Sequence, residues 1–255
     1  MAAKLSGKSN LNPSAEPLKE LMLFAPDLVT KVVKDPFGSD FDPRTAEVGR
    51  YVLRQSGSML SAIVQLNGCI EDMRAVHSML GKYPWREDRI SRAKHLDLNW
   101  FLFQNLCYKF KEKLKLAFNS QKKIAKSLNL ASPSWLKEEL KLVETALGRH
   151  IQDRGNTVHD WNVTHGNIDL ISMIELFKFA NLAGETVDLP DHFLDLTGHF
   201  RDAKWSLRLS VKRAIQEADL SLARILATHE PNPKAIVKYV NEIIQRVLRG
   251  EIRFQ

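Results

Sequence analysis

Arg154 and His159 are the residues of this chain whose types and spacing most directly suit chemistry. The run reads Arg154-Gly155-Asn156-Thr157-Val158-His159, a permanent cation and a titrating base five positions apart. A guanidinium presents a planar fork of donors that matches a phosphate, and an imidazole with an ordinary pKa of about 6.5 takes or gives a proton near neutrality. Together they suit cleavage of a phosphodiester without a metal. The plain alternative is two solvated side chains at the end of a helix, because short motifs recur by chance.

Few other residues compete for a chemical role. The sequence contains no Gly-x-Ser-x-Gly elbow, no Gly-rich phosphate loop and no dinucleotide fingerprint, so serine hydrolase, kinase and dehydrogenase readings have nothing beneath them. His159 and His165 lie near Asp160 and Asp169, but that spacing is no ligand signature, and neither a metal nor a cofactor is expected. His192 and His199, with Asp195 and Asp202 beside them, read as packing along one helix face. Cys69 and Cys107 are the only cysteines, too few for a disulfide framework or a cysteine zinc site, and a reducing cytoplasm fits them.

Charge points towards polyanions. The formal net charge is +7 and the isoelectric point about 9.4, which favours association through counterion release. Between Lys109 and Lys126 there are seven lysines (109, 111, 113, 115, 122, 123 and 126) against one acid, Glu112. A solvated helix face is the ordinary reading of such a run, and DNA binding by this basic helix is a further possibility. The first residues, MAAKLSGKSNLNPSAEP, have no apolar leader core. No stretch approaches the roughly 18 uncharged apolar residues of a membrane span, so no membrane association is expected.

The elements that must position these groups are helical. Glycine is scarce, β-branched alternation is nearly absent, and apolar residues recur at three and four, which predicts an all-α fold. Residues 1–13 read as a disordered segment and 14–255 as a single all-α domain. Ser14 to Lys34 predicts a first helix and Asp35 to Pro43 a connector. A long helix follows from about Arg44 to Tyr83, with Val48, Tyr51, Val52, Gln55, Met59, Ala62, Ile63, Leu66, Ile70, Met73 and Leu80 near one stripe. Its glycines, Gly49, Gly57 and Gly68, either weaken it or permit close helix approach.

Pro84 ends that helix. From Arg89 to Leu128, Leu96, Trp100, Phe103, Cys107, Phe110, Leu114 and Ala117 form a seam suited to antiparallel pairing. Two helices of this length would each span roughly 60 Å, which predicts an elongated antiparallel bundle. Ser132 and Pro133 start the next helix, which carries Trp135, Leu136, Leu140, Val143, Ala146, Leu147 and Ile151 and ends at Gly155. A polar loop from Asn156 to Asn167 precedes a short helix from Ile168 to Ala183. A third long helix spans Leu189 to His229 (Phe193, Leu196, Phe200, Trp205, Leu209, Ile215, Leu222, Ile225), and a last one spans Pro233 to Arg249.

The Arg-x4-His run, the amphipathic helix leading into it (Arg149-His150-Ile151-Gln152-Asp153), the acid after the histidine (Asp160) and the upstream aromatic helix (Leu98-Asn99-Trp100-Phe101-Leu102-Phe103-Gln104-Asn105) resemble the HEPN superfamily of small all-α domains. The likeness covers about residues 44–185, leaving 189–255 as a C-terminal helical extension. One position departs: after the arginine the family usually carries Asn, Asp or His, whereas Gly155 stands here. Either Asn156 takes that role or the site is inactive. The resemblance implies a metal-independent endoribonuclease or an RNA-binding component of a toxin–antitoxin or phage-defence system. It also implies a homodimer that brings two copies of Arg154 and His159 into one site. Arg149, Asn156, Lys122, Lys123 and Lys126 would then contact RNA, and an antitoxin or other protein partner is implied. The rival class is a non-catalytic helical interaction module.

Overall fold

The computed structural model describes residues 43–82, 90–127, 135–159, 166–182, 195–227 and 249. It contains α1 (Pro43–Gly81), α2 (Arg92–Ser127), α3 (Trp135–His159), α4 (Gly166–Leu182) and α5 (Leu196–Ala227), with no strand among the described residues. The protein is an all-α helical bundle. No described helix is long and apolar enough to cross a membrane. The expected helices at Ser14–Lys34 and Pro233–Arg249 and the segment 1–13 lie outside the described residues.

Helix boundaries follow from where orphaned backbone groups find partners. Pro43, expected in the connector, is the first residue of α1, where its missing N–H costs nothing and its fixed φ suits the helix. α2 begins at Arg92, later than the Arg89 read from periodicity. Ser91 caps it: the Lys94 N–H donates to Ser91 Oγ at 3.1 Å. Glu175 of α4 completes the cap, accepting from the N–H groups of Arg92 (2.8 Å) and Ala93 (3.3 Å), so a carboxylate sits at the positive end of the helix dipole. α5 begins at Leu196, well after Leu189, behind an Asp195 cap that accepts from the Gly198 N–H at 2.9 Å.

The packing divides into two compact units whose boundaries fall at Val64/Gln65, Leu114/Lys115, Glu139/Leu140 and Ala218/Asp219. The three longest helices therefore each contribute to both. In the unit that holds Gln65–Leu114, α1 and α2 run antiparallel: Lys109 pairs with Asp72 at 3.6 Å, and His95 donates to the Met79 carbonyl. α2 and α3 also run antiparallel there, with Lys111 3.2 Å from Glu144 and Asn105 meeting Arg154 further along. Leu96, Trp100, Phe103, Cys107, Phe110 and Leu114 are all buried, as their spacing predicts. In the other unit, Glu139 of α3 is buried against Ser221 and Arg224 of α5.

Some expectations about faces are corrected. Trp205 and Leu209, named with Phe200 among the apolar residues of the third long helix, are 67% and 39% exposed. The buried line instead runs through Leu196, Phe200, Ala203, Leu207, Val211, Ala214, Ala218 and Leu222. At about 100° per residue, Trp205 stands roughly 140° around the axis from Phe200. Ala146 is likewise exposed. A β-carbon on Gly68 would meet nothing within 4 Å, so this glycine marks no close helix approach.

Candidate functional site

α3 does not stop at Gly155; it continues in helical conformation to His159. The αL cap expected there is absent, since no left-handed φ occurs at Gly155 and a β-carbon would meet nothing within 4 Å. Glycine inside a helix costs about 1 kcal/mol relative to alanine, and packing overrides that. Arg154 ties the last turns of α3 to α2. Its Nε donates to Asn105 Oδ1 at 2.8 Å, and its guanidinium lies 4.1 Å from the centroid of the Tyr108 ring. Asn105 is itself oriented, because its Nδ2 donates to the Phe101 carbonyl at 2.8 Å and so turns its oxygen to the arginine.

The electrostatic consequence is specific. Arg154 is held by an amide oxygen and a π face, both neutral. Among the described residues no carboxylate pairs with it, and its terminal nitrogens make no hydrogen bond. Among the described residues nothing neutralises the positioned cation, which leaves its fork available to an anion. Phe101, Asn105 and Tyr108 lie along one face of α2 at helical spacing.

The remaining residues are distributed unevenly. Arg149 is exposed on α3. Asn156 and His159 belong to the helical end of α3. Lys122, Lys123 and Lys126 are exposed near the end of α2 and belong to the other compact unit. The lysine run is split in its use: Lys109 and Lys111 are spent on Asp72 and Glu144, whereas Lys122, Lys123 and Lys126 have no acidic partner among the described residues.

His150, read as part of a helix end, is instead inside. Its ring meets Trp100 edge-on at 5.4 Å and Phe103 at 5.0 Å between centroids. Burial pushes its pKa below the ordinary value; Asp153 opposes this and Arg149 adds to it. His95 is lowered chiefly by burial, with Lys204 adding. A histidine whose folded pKa lies below its unfolded value binds fewer protons when folded, so stability is present above about pH 6.5 and declines as pH falls through that value. The unfolding midpoint in denaturant should therefore fall from pH 7.5 to pH 5, and His150→Phe should flatten that slope. An unchanged slope in the variant would show that His150 does not contribute to it.

Cys69 and Cys107 are both fully buried and reduced, and burial raises both thiols, with Lys109 opposing the rise at Cys69. Neither is placed for nucleophilic chemistry. Among the described residues no group of three His, Cys, Asp or Glu could hold a metal. Tyr108, one of the two residues that fix Arg154, carried no signal in the sequence. Asn105 lay within the aromatic run without a stated role.

The sequence matches no family model and no curated protein, and the fold matches no solved structure.

Proposed function

We propose that this chain is a HEPN-type, metal-independent endoribonuclease of a cytoplasmic toxin–antitoxin or phage-defence system, acting as a homodimer. The observation that carries the reading is Arg154: an arginine oriented by Asn105 and Tyr108, with no acidic partner for its charge and none for its terminal nitrogens among the described residues. Holding a rigid cation without neutralising it is what a phosphate site requires. The homodimer brings two copies of Arg154 and His159 into one site, and the second copy's His159 supplies the base beside the first copy's arginine. An exposed apolar strip beside the site supports that pairing, with Leu98 47%, Phe101 41% and Leu102 42% exposed.

In this reading His159 takes the proton of the ribose 2′-OH, whose oxygen attacks the adjacent phosphorus. The 5′-oxygen leaves and is protonated by the second imidazole, and the products are a 2′,3′-cyclic phosphate and a 5′-hydroxyl. Arg154 offsets charge on the non-bridging oxygens. Arg149, Asn156, Lys122, Lys123 and Lys126 contact flanking phosphates or sugars without reading bases.

Labelled RNA incubated with excess chelator should be cleaved by the wild type. His159→Ala should slow cleavage about 10²- to 10⁴-fold, the usual worth of a general acid or base. Arg154→Lys keeps the charge but loses the fork and should also be impaired. Cleavage that needs added metal, or that survives in His159→Ala, ends the proposal. The rival is a scaffold module, favoured by the outer face of α4, where Leu176 and Phe179 are 65% and 70% exposed. RNA left intact by every form, with a defined hetero-complex, would select it.

A further inference from the structure

A groove between α1 and α5 shares no described residue with the Arg154 site. Its volume is about 340 Å³, and its described lining is His77 of α1 with Trp205, Arg208, Leu209, Lys212 and Ile215 of α5. The α5 residues recur at three and four and so share one helix face. Two of their features are unusual for a surface that only meets water.

The first is Trp205, which is 67% exposed although tryptophan is ordinarily among the more buried residue types. A flat indole left open beside a groove is a stacking platform for another ring. The second is charge. Arg208 and Lys212 are four apart, where like charges repel across one helical turn. Neither they nor His77 has an acidic partner among the described residues. Arg208 Nε is buried and makes no hydrogen bond, while its guanidinium carbon lies 3.7 Å from where a β-carbon of Gly81 would stand, against the C-terminal end of α1. His77 is held below its ordinary pKa by burial first and then by Arg208 and Lys212, which registers the uncompensated positive field. Two permanent cations on one small groove, with a neutral His77 beside them, exceed what a single carboxylate would balance and suit a phosphate of charge about −1.5 to −2.

We propose that this groove binds a phosphorylated nucleoside, its base stacked on Trp205 and its phosphate held by Arg208 and Lys212. The source is either a free nucleotide or the phosphorylated end of a strand. The inference uses no residue of the Arg154 reading, so either can fail alone.

The test titrates adenosine 5′-monophosphate into the full chain, following tryptophan fluorescence and, in parallel, heat. Wild type should show saturable quenching that is absent in Trp205→Ala. Affinity by calorimetry should fall at least tenfold in Trp205→Ala, Arg208→Gln and Lys212→Gln. Adenosine and orthophosphate should each bind at least tenfold more weakly than the monophosphate. A 5′-phosphorylated oligoribonucleotide binding tenfold or more tightly than the monophosphate assigns the groove to a strand end, and equal affinity assigns it to the free nucleotide. Adenosine or orthophosphate binding as well as the monophosphate, unchanged affinity in the variants, or dodecyl phosphate binding where the monophosphate does not, would each overturn the proposal. Trp205 and Lys212 are exposed, so these variants should keep the wild-type unfolding midpoint, which serves as the control for folding.

Discussion

Replacing Phe103 by alanine should destabilise the protein by about 3–5 kcal/mol, the range for deleting a large aromatic side chain from a core. For a chain of this size that lowers the thermal midpoint by roughly 10 °C. Phe103 is completely buried and its ring meets Trp100 at 5.3 Å and His150 at 5.0 Å between centroids. It therefore joins α2 to α3 on the same stretch of α2 that carries Asn105. Truncation loses the transfer free energy of the ring and leaves a cavity that flanking helices, fixed by other contacts, fill only in part. Phe101→Ala is the control. Two positions away, its ring is 41% exposed, and its loss should cost under about 1 kcal/mol. Denaturant unfolding of both variants checks the contrast; a Phe103→Ala penalty as small as that of Phe101→Ala would mean that the aromatic cluster is loosely packed.

This contrast marks what local spacing can reveal. Phe101 and Phe103 differ little in composition or neighbours, and the three-and-four repeat separates them: Leu96, Trp100, Phe103, Cys107 and Phe110 fall on the buried line and Phe101 does not. Periodicity therefore made the helices and the α2 seam readable. It failed where a distant residue decides. The start of α2 depends on Glu175, 83 positions from Arg92. The last turns of α3 are held past Gly155 by Arg154 reaching back 49 positions to Asn105. Trp205 is an aromatic at nearly helical spacing from Phe200, and only the line taken by Phe200, Ala203 and Leu207 shows it facing out.

The candidate site divides in the same way. Arg154 was legible from residue type and from the Arg-x4-His spacing, but its orientation was not. Tyr108 and Asn105 act on it across a helix pair, and no local pattern announces a π face beneath a guanidinium. That its two described contacts are both neutral is also invisible in sequence, because only the fold shows that it is an amide oxygen and a π face that meet the guanidinium. His150 shows the converse: the sequence places it only in the helix leading into the motif, whereas the ring contacts with Trp100 and Phe103 hold it half-buried with its pKa lowered by burial.

Arg224→Met should cost about 3 kcal/mol, and most of that loss should return when Glu139 is replaced by leucine in the same chain. Glu139 reads from sequence as one of two acids near the start of a helix, yet the two differ: Glu138 is exposed and Glu139 is 6% exposed. Arg224 grips the Glu139 carboxylate through two nitrogens, Nε at 2.7 Å and Nη2 at 3.1 Å, and Ser221 Oγ donates to it at 3.1 Å. Removing the arginine leaves a buried carboxylate with one neutral donor, and breaking such pairs costs about 3–5 kcal/mol. The lower end applies because the Arg224 side chain is 41% exposed, so water screens the pair from one side. Glu139→Leu/Arg224→Met removes the stranded charge altogether, while the Ser221 hydroxyl must find a new acceptor, a loss of about 1 kcal/mol. The double-mutant cycle should then give a coupling of about 1–3 kcal/mol. A double variant no more stable than Arg224→Met alone would mean that the arginine acts through its apolar stem, whose packing methionine does not replace, and not through the carboxylate it holds.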